Sequence, residues 1–382
     1  MLRWEKLMEL ARGESKEESR EITKLKKRYD AGDASPGEML ELANHYLRSK
    51  NTKHCEQLLA RLIAENGLDE SVLREACAML ENIGSYELAF EGYERLHVMN
   101  PAIALPVYLM GRLQELQGDF ERAVAMHQMA IEIEPDNPEC YYRLGVAFTK
   151  SHLYEEAEKQ YRAAIAIDPT HSKSYTNLGY ILDLGGRRSA ALQQFRKAVQ
   201  HNPKSSEAHF NLGALYGEEG DREQAIKEFR IGLEINSTSV EGLYNLGVAL
   251  VNEGRYEDAK DEFKRIIKLE PDNVNAMFYI GLLYYRKGVY GKALRFLQNA
   301  SHLNPGNTTI LYYIGECFNK AEQPRKALEY YQKINEINPG DPKVYFSMGI
   351  IYEKQDDKRK ARECYRLAAL KSETESRGAA SE

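Results

Sequence analysis

The sequence contains no run of apolar residues approaching the roughly 18–20 that a membrane-spanning helix requires. Its first ten residues, MLRWEKLMEL, interrupt their apolar content with Arg3, Glu5, Lys6 and Glu9. A secretory signal needs an unbroken apolar stretch, so neither membrane insertion nor export is expected, and a cytoplasmic location follows. Cysteine is scarce: Cys55, Cys77, Cys140, Cys317 and Cys364 make an odd number without a CxxC pair, which argues against a disulfide framework and for reduced thiols. Nor is there a block of one charge sign. The 52 Lys and Arg residues are interleaved with 58 Asp and Glu for a net charge of −6, whereas nucleic-acid binding needs a concentrated basic surface. No nucleic-acid partner is expected.

The motifs of catalysis are missing as well. The nine histidines include no HExxH and no His–Cys cluster with zinc spacing, and the serines lack a GxSxG context. No GxxxxGK[ST] phosphate loop occurs, and Gly185-Gly186 reads as a turn between helices. The acidic pairs Glu218-Glu219 and Asp356-Asp357 fall at similar turns, where solvated charge is the ordinary role. No catalytic residue, metal site or cofactor is expected, and the chain does not read as an enzyme.

What the sequence has is a period. Pro101, Pro135, Pro169, Pro203, Pro271, Pro305 and Pro339 share a 34-residue register, broken only by Ser237. On the same register lie Gly111, Gly145, Gly179, Gly213, Gly247, Gly281, Gly315 and Gly349. A third series runs through Ala123, Ala157, Ala191, Ala225, Ala259, Ala293, Ala327 and Ala361. In residues 240–273, Leu243, Leu246, Gly247 and Leu250 recur at helical spacing, Glu253-Gly254-Arg255 intervenes, and Tyr256, Ala259, Phe263, Ile266 and Ile267 recur again. This predicts two amphipathic helices joined by a tight turn, with Gly254 ending the first and Pro271 stopping the second. Gly247 and Ala259 are small where the two helices must approach closely.

The order of an aromatic, Leu-Gly, a small turn, Ala, an aromatic, Ala and Pro on a 34-residue period resembles the tetratricopeptide-repeat family. The copies start at 104, 138, 172, 206, 240, 274, 308 and 342, giving eight repeats over 104–375. Two degenerate copies at 36 and 70 fill 36–103, keeping Ala43 and Tyr46 in one and Ala89, Tyr93 and Pro101 in the other, with Cys77 at the glycine position. Residues 1–35 read as a helical cap, through LRWEKLMELA and the spacing of Ile22, Leu25 and Tyr29. The end of the chain, KSETESRGAASE, reads as disordered, with 376–382 as the tail. The resemblance implies an all-α, right-handed superhelical solenoid of about ten helix-turn-helix repeats, each stacked on its neighbours because no single pair buries its own apolar face.

It also implies a binding role. In the family the first helix of each repeat lines an inner groove, chiefly through positions 2, 5, 6, 9, 12 and 13. Position 5 is aromatic in seven of the eight regular copies, Tyr244 among them. Position 6 runs Leu109, Arg143, Asn177, Asn211, Asn245, Tyr279, Tyr313, Ser347. An asparagine amide donates and accepts, so Asn177, Asn211 and Asn245 would hold an extended peptide backbone; the row is similar to the asparagine ladder of an O-linked glycosyltransferase's repeat domain. Tyr279 and Tyr313, with Tyr285, would anchor side chains further along. Arg143 would contact an anionic group. The carboxylate clamp of chaperone-binding members is not expected, because position 5 is never Lys and Lys173 and Lys343 are followed by Asn177 and Ser347. The function implied is a protein-binding scaffold for a protein or extended peptide, the alternative a substrate-recognition subunit of a separate enzyme such as a glycosyltransferase. A monomer is expected, with self-association as the competing state.

Overall fold

A computed structural model describes residues 16–378 as twenty-one α-helices, with no strand among them. First helices of successive pairs start at Pro36, Glu70, Leu105, Pro138, Ser172, Ser206, Val240, Val274, Thr308 and Pro342. Each is followed by a second helix, as Val240–Asn252 is by Tyr256–Leu269. The phase is therefore kept even in the copies from 36 and 70, whose side-chain pattern has drifted.

The turn between the paired helices is closed by the same hydrogen bonds each time. Gly254 N–H donates to Val251 O at 3.1 Å and Arg255 N–H to Leu250 O at 2.8 Å, a closure that forces the intervening residue into the left-handed region. Gly254 meets that demand at φ +78°. Lys50, His152, Glu322 and Asp356 meet it too, at φ between 56° and 60°. There the tertiary closure overrides the preference for glycine.

Packing inside each pair explains the glycine series. A Cβ on Gly145 would lie 2.6 Å from the ring of Tyr161, on Gly179 2.7 Å from Phe195, on Gly247 2.7 Å from Phe263 and on Gly315 2.6 Å from Tyr331. These rings are largely or wholly buried, and Tyr161, Tyr331 and Phe263 are among the largest side chains completely removed from solvent. The copy from 70 keeps the ring as buried Tyr93 but has Cys77 at the glycine position, and Gly92, the residue before that ring, makes room for the thiol.

The chain divides into two compact units, Met1–Asn202 and Pro203–Glu382. In the first, helix Lys16–Ala31 packs Ile22 and Tyr29 against the unit's core and buries Leu25; the expected capping segment LRWEKLMELA lies outside the described residues. In the second, the last helix departs from expectation. Disorder was expected from Lys371, but the helix runs Lys358–Gly378. Its final stretch holds mainly Lys, Glu, Ser and Arg, with no breaker before Gly378. Residues 379–382 lie outside the described ones.

Candidate functional site

Asn177 and Tyr279, at position 6 of their first helices, each meet position 24 of the preceding copy, and what stands there decides how they are used. In the first unit Asn177 donates from Nδ2 to the Tyr161 hydroxyl at 3.2 Å, and that hydroxyl also shares a hydrogen bond of 2.9 Å with Thr149. Part of the Asn177 amide is thus committed within the fold. In the second unit Asn245 follows a copy whose position 24 is Phe229, which has no hydroxyl. Asn211 and Asn245 are half-buried and hydrogen-bond to no other side chain or backbone group among the described residues. Tyr279 stacks on Phe263 at 4.8 Å and 12°.

Around Tyr279 and Tyr313 the first helices of the second unit carry a continuous aromatic cluster. Tyr244 meets Tyr279 edge-on at 5.7 Å. Tyr313 is edge-on to Phe278 at 5.7 Å, Tyr285 at 5.6 Å and Tyr312 at 5.7 Å, geometries favoured by the ring quadrupoles. Tyr244, Tyr279, Tyr285 and Tyr313 are half-buried, so each ring packs on one side and meets solvent on the other. Burial pushes the Tyr279 hydroxyl up to about 12, and burial with the nearby Glu316 carboxylate pushes Tyr285 well above its ordinary value. These phenols are neutral donors at physiological pH. Glu316 receives the Tyr285 hydroxyl at 3.2 Å and the Tyr331 hydroxyl at 2.5 Å.

The first unit is polar at the equivalent place. Arg143 lies over Tyr108 at 5.7 Å and Tyr142 at 5.5 Å, and Lys173 over Tyr142 at 5.7 Å. Arg143, expected from sequence to contact an anionic group, has a partner on its own helix: its Nε donates to Glu139 at 3.1 Å, because the two stand one helical turn apart on Pro138–Lys150. Glu139 also accepts from Tyr108 at 3.3 Å and pairs with His171 at 3.3 Å. A cavity of ≈ 380 Å³ opens here, bounded by Tyr108, Asn137, Glu139, Cys140, Arg143 and Lys173. Burial alone would raise the Glu139 pKa, but the His171 hydrogen bond and the Lys173 and Arg143 charges outweigh it and hold the carboxyl at about 2.

That shift has a definite sign. Folding lowers the pKa from 4.5 to about 2, so the ionised carboxylate stabilises the fold above the ordinary value and the contribution is lost as pH falls through the folded one. Glu139→Gln is expected to melt below the parent at neutral pH and together with it near pH ~2, in thermal unfolding followed by circular dichroism.

Sequence reasoning missed Glu139, Glu316 and a spacing rule. Twelve residues separate the partners in Glu81 and Tyr93 (2.5 Å), Glu115 and His127 (2.7 Å), Thr149 and Tyr161 (2.9 Å), and Glu353 and Tyr365 (2.7 Å). A polar residue at position 12 opposite a ring with a polar tip at position 24 was the available signal. Phe210 was legible as an aromatic at position 5 but not as a wedge. It is buried, and a Cβ on Gly242 would lie 2.5 Å from its ring, with Gly232 making room on the other side.

Burial pushes the thiols of Cys77 and Cys317 up to about 12 and that of Cys140 to about 11, so they are poor nucleophiles at neutral pH. All five cysteines are buried and free. Among the described residues no group of three His, Cys, Asp or Glu side chains could hold a metal ion, and no helix is long and apolar enough to cross a membrane.

Comparison with known proteins returns one pattern. Profiles of the tetratricopeptide repeat match residues 116–178, 172–205, 195–227, 244–307, 310–341 and 330–363. No curated protein matches the chain. Among solved structures, the C-terminal part of a TPR repeat-containing protein from Cytophaga hutchinsonii is 18% identical over 63% of this chain and 99% of its own, with a TM-score of 0.52. MamA is 26% identical over 44% of this chain and 97% of its own, with a TM-score of 0.41. YrrB, described as a TPR protein with an unusual peptide-binding site, is 22% identical over 48% and 95%, with a TM-score of 0.44. The Cytophaga likeness extends to the fold and no further.

Proposed function

The chain belongs to the tetratricopeptide-repeat family, a fold of protein–protein interaction scaffolds, and from that premise we propose that it is a non-catalytic scaffold holding an extended peptide segment along the first helices of its second unit. The observation that carries this reading is the pairing of two kinds of group on one face. Asn211 and Asn245 keep their amides uncommitted to the described chain, and half-buried Tyr279 and Tyr313 follow them one and two copies on. The amides suit a peptide backbone whatever its sequence, and the rigid aromatics suit apolar side chains at low entropic cost.

The recognition-subunit alternative has less support. It rests on three equivalent asparagines, and Asn177 differs from the other two in donating to Tyr161.

A displayed library of linear peptides selected on the intact chain tests the proposal. The enriched peptide is then titrated by fluorescence polarisation against Asn211→Ala/Asn245→Ala and against Tyr279→Ala/Tyr313→Ala. Each pair is expected to weaken binding about tenfold or more, since two hydrogen bonds or two anchors are worth about 1–3 kcal/mol. Parental affinity in both variants, with helicity unchanged, places binding elsewhere.

A further inference from the structure

Beyond peptide binding, the second unit carries a charge pattern along one edge that no groove ligand explains. Turns of neighbouring copies sit side by side there: Lys287 Nζ lies 2.9 Å from Glu257, and Arg286 reaches the Tyr256 hydroxyl at 3.4 Å. Over positions 13–20, the turn and first turn of the second helix, residues 218–225 and 252–259 hold seven acidic and two basic side chains. The next two copies, residues 286–293 and 320–327, hold six basic and one acidic. The net charges are −5 and +5, and all sixteen side chains are exposed.

The basic half is placed against a local rule. Helices Tyr290–Leu303 and Pro324–Ile337 have no acidic residue in their first turn and no side-chain cap at Val289 or Gln323. Lys292 and Lys326 stand at these positive helix ends, where a cation is disfavoured. They rest on aromatic rings, Lys292 over Tyr284 at 5.6 Å and Lys326 over Phe318 at 5.3 Å, which leaves the ammonium groups at the surface. Lys292, Lys320, Arg325 and Lys326 form no ion pair with any described residue, and neither do Glu219, Glu223 and Glu253. Glu257 is paired with Lys287 and Lys260, and Asp258 with Arg255; the unpaired Glu219, Glu223 and Glu253 on one side and Lys292, Lys320, Arg325 and Lys326 on the other leave two patches of opposite sign on one edge that complement each other.

We propose that this edge pairs with the same edge of a second copy of the chain, antiparallel about a two-fold axis between the copies from 240 and 274. That operation sets 252–259 opposite the partner's 286–293 and 218–225 opposite its 320–327, acid to base at both ends. A two-fold interface is self-complementary by construction, and an edge whose two halves balance at −5 and +5 meets that condition. Like charges would face each other in a parallel arrangement, which the pattern opposes.

Charge reversal on the full chain tests this by sedimentation velocity. At about 20 mM NaCl the parent is expected to dimerise, and at about 500 mM its dissociation constant is expected to rise at least about tenfold through screening. Lys292→Glu/Arg325→Glu/Lys326→Glu and, separately, Glu219→Lys/Glu223→Lys/Glu253→Lys should each be monomeric at low salt. Mixed together they should form a heterodimer, because the unaltered acidic half of the first (−5) then faces the unaltered basic half of the second (+5), while the two altered halves are near neutral at −1 and +1. The first triple variant puts carboxylates in helix first turns, where they are favoured, and circular dichroism checks that both variants keep parental helicity. A parent monomeric at both salts overturns the proposal, whatever acidic molecule the basic half then holds. So does a dimer that survives either triple variant, or a mixture that stays monomeric.

Discussion

Replacing Phe263 by alanine is expected to destabilise the second unit by about 3–5 kcal/mol, the range for a large aromatic removed from a core. Phe263 is completely buried and fills the space above Gly247. It also carries the stacked Tyr279 at 4.8 Å and meets Tyr244 edge-on at 6.2 Å, so its loss empties the core of one copy and loosens the aromatic cluster joining it to the next. The stability of a repeat array is close to a sum of within-copy and between-copy terms, and this substitution lowers both at one point. Urea unfolding followed by circular dichroism should show a lower midpoint. A broadened transition would mean that the copies from 240 and 274 unfold apart from the rest. A Phe263→Ala variant that unfolds with the parent would mean that the Gly247 contact is not the one described.

The within-copy part of this structure was legible because it repeats. Gly247 and Ala259 recur at fixed spacing through eight copies, and each helix start follows from that spacing, so one copy read correctly is eight copies read correctly. What joins one copy to the next was less legible, since it depends on single atoms. Asn177 and Asn245 look the same in the strings YTNLGY and LYNLGV, yet one meets a tyrosine hydroxyl and the other follows a phenylalanine. Tyr279 reads as a groove residue by position and is also half of a stacked pair. Arg143 reads as a free cation until Glu139, one turn away, is seen to share it. Lys50, His152, Glu322 and Asp356 hide the turn that glycine announces elsewhere, because backbone closure, not residue preference, sets their conformation. Charge along the turn edge was averaged away by counting it over the whole chain, where −6 conceals two halves of opposite sign.

His127→Tyr is expected to stabilise the first unit by about 1–2 kcal/mol. His127 is completely buried; its Nε2 pairs with Glu115 at 2.7 Å, but its Nδ1 has neither solvent nor a partner among the described residues. A buried polar atom left unpaired costs about 1–3 kcal/mol. A tyrosine would keep the bond to Glu115 and remove the orphan, as Tyr93 does with Glu81 and Tyr365 with Glu353. Space is not the obstacle that overpacking usually raises. A Cβ on Gly111 would lie 2.6 Å from the His127 ring, the same approach as Gly145 makes to Tyr161, so the frame already accepts a tyrosine one copy later. His127→Phe separates the two terms. It also removes the orphan, but it leaves the poorly exposed Glu115 carboxylate without its partner, and it should fall below the parent. The order expected in urea unfolding is therefore H127Y above parent above H127F. If H127F matches H127Y, the bond to Glu115 contributes nothing and the orphaned nitrogen alone sets the difference; if both fall below the parent, Nδ1 is satisfied in solution and the histidine is the ring this copy is built around.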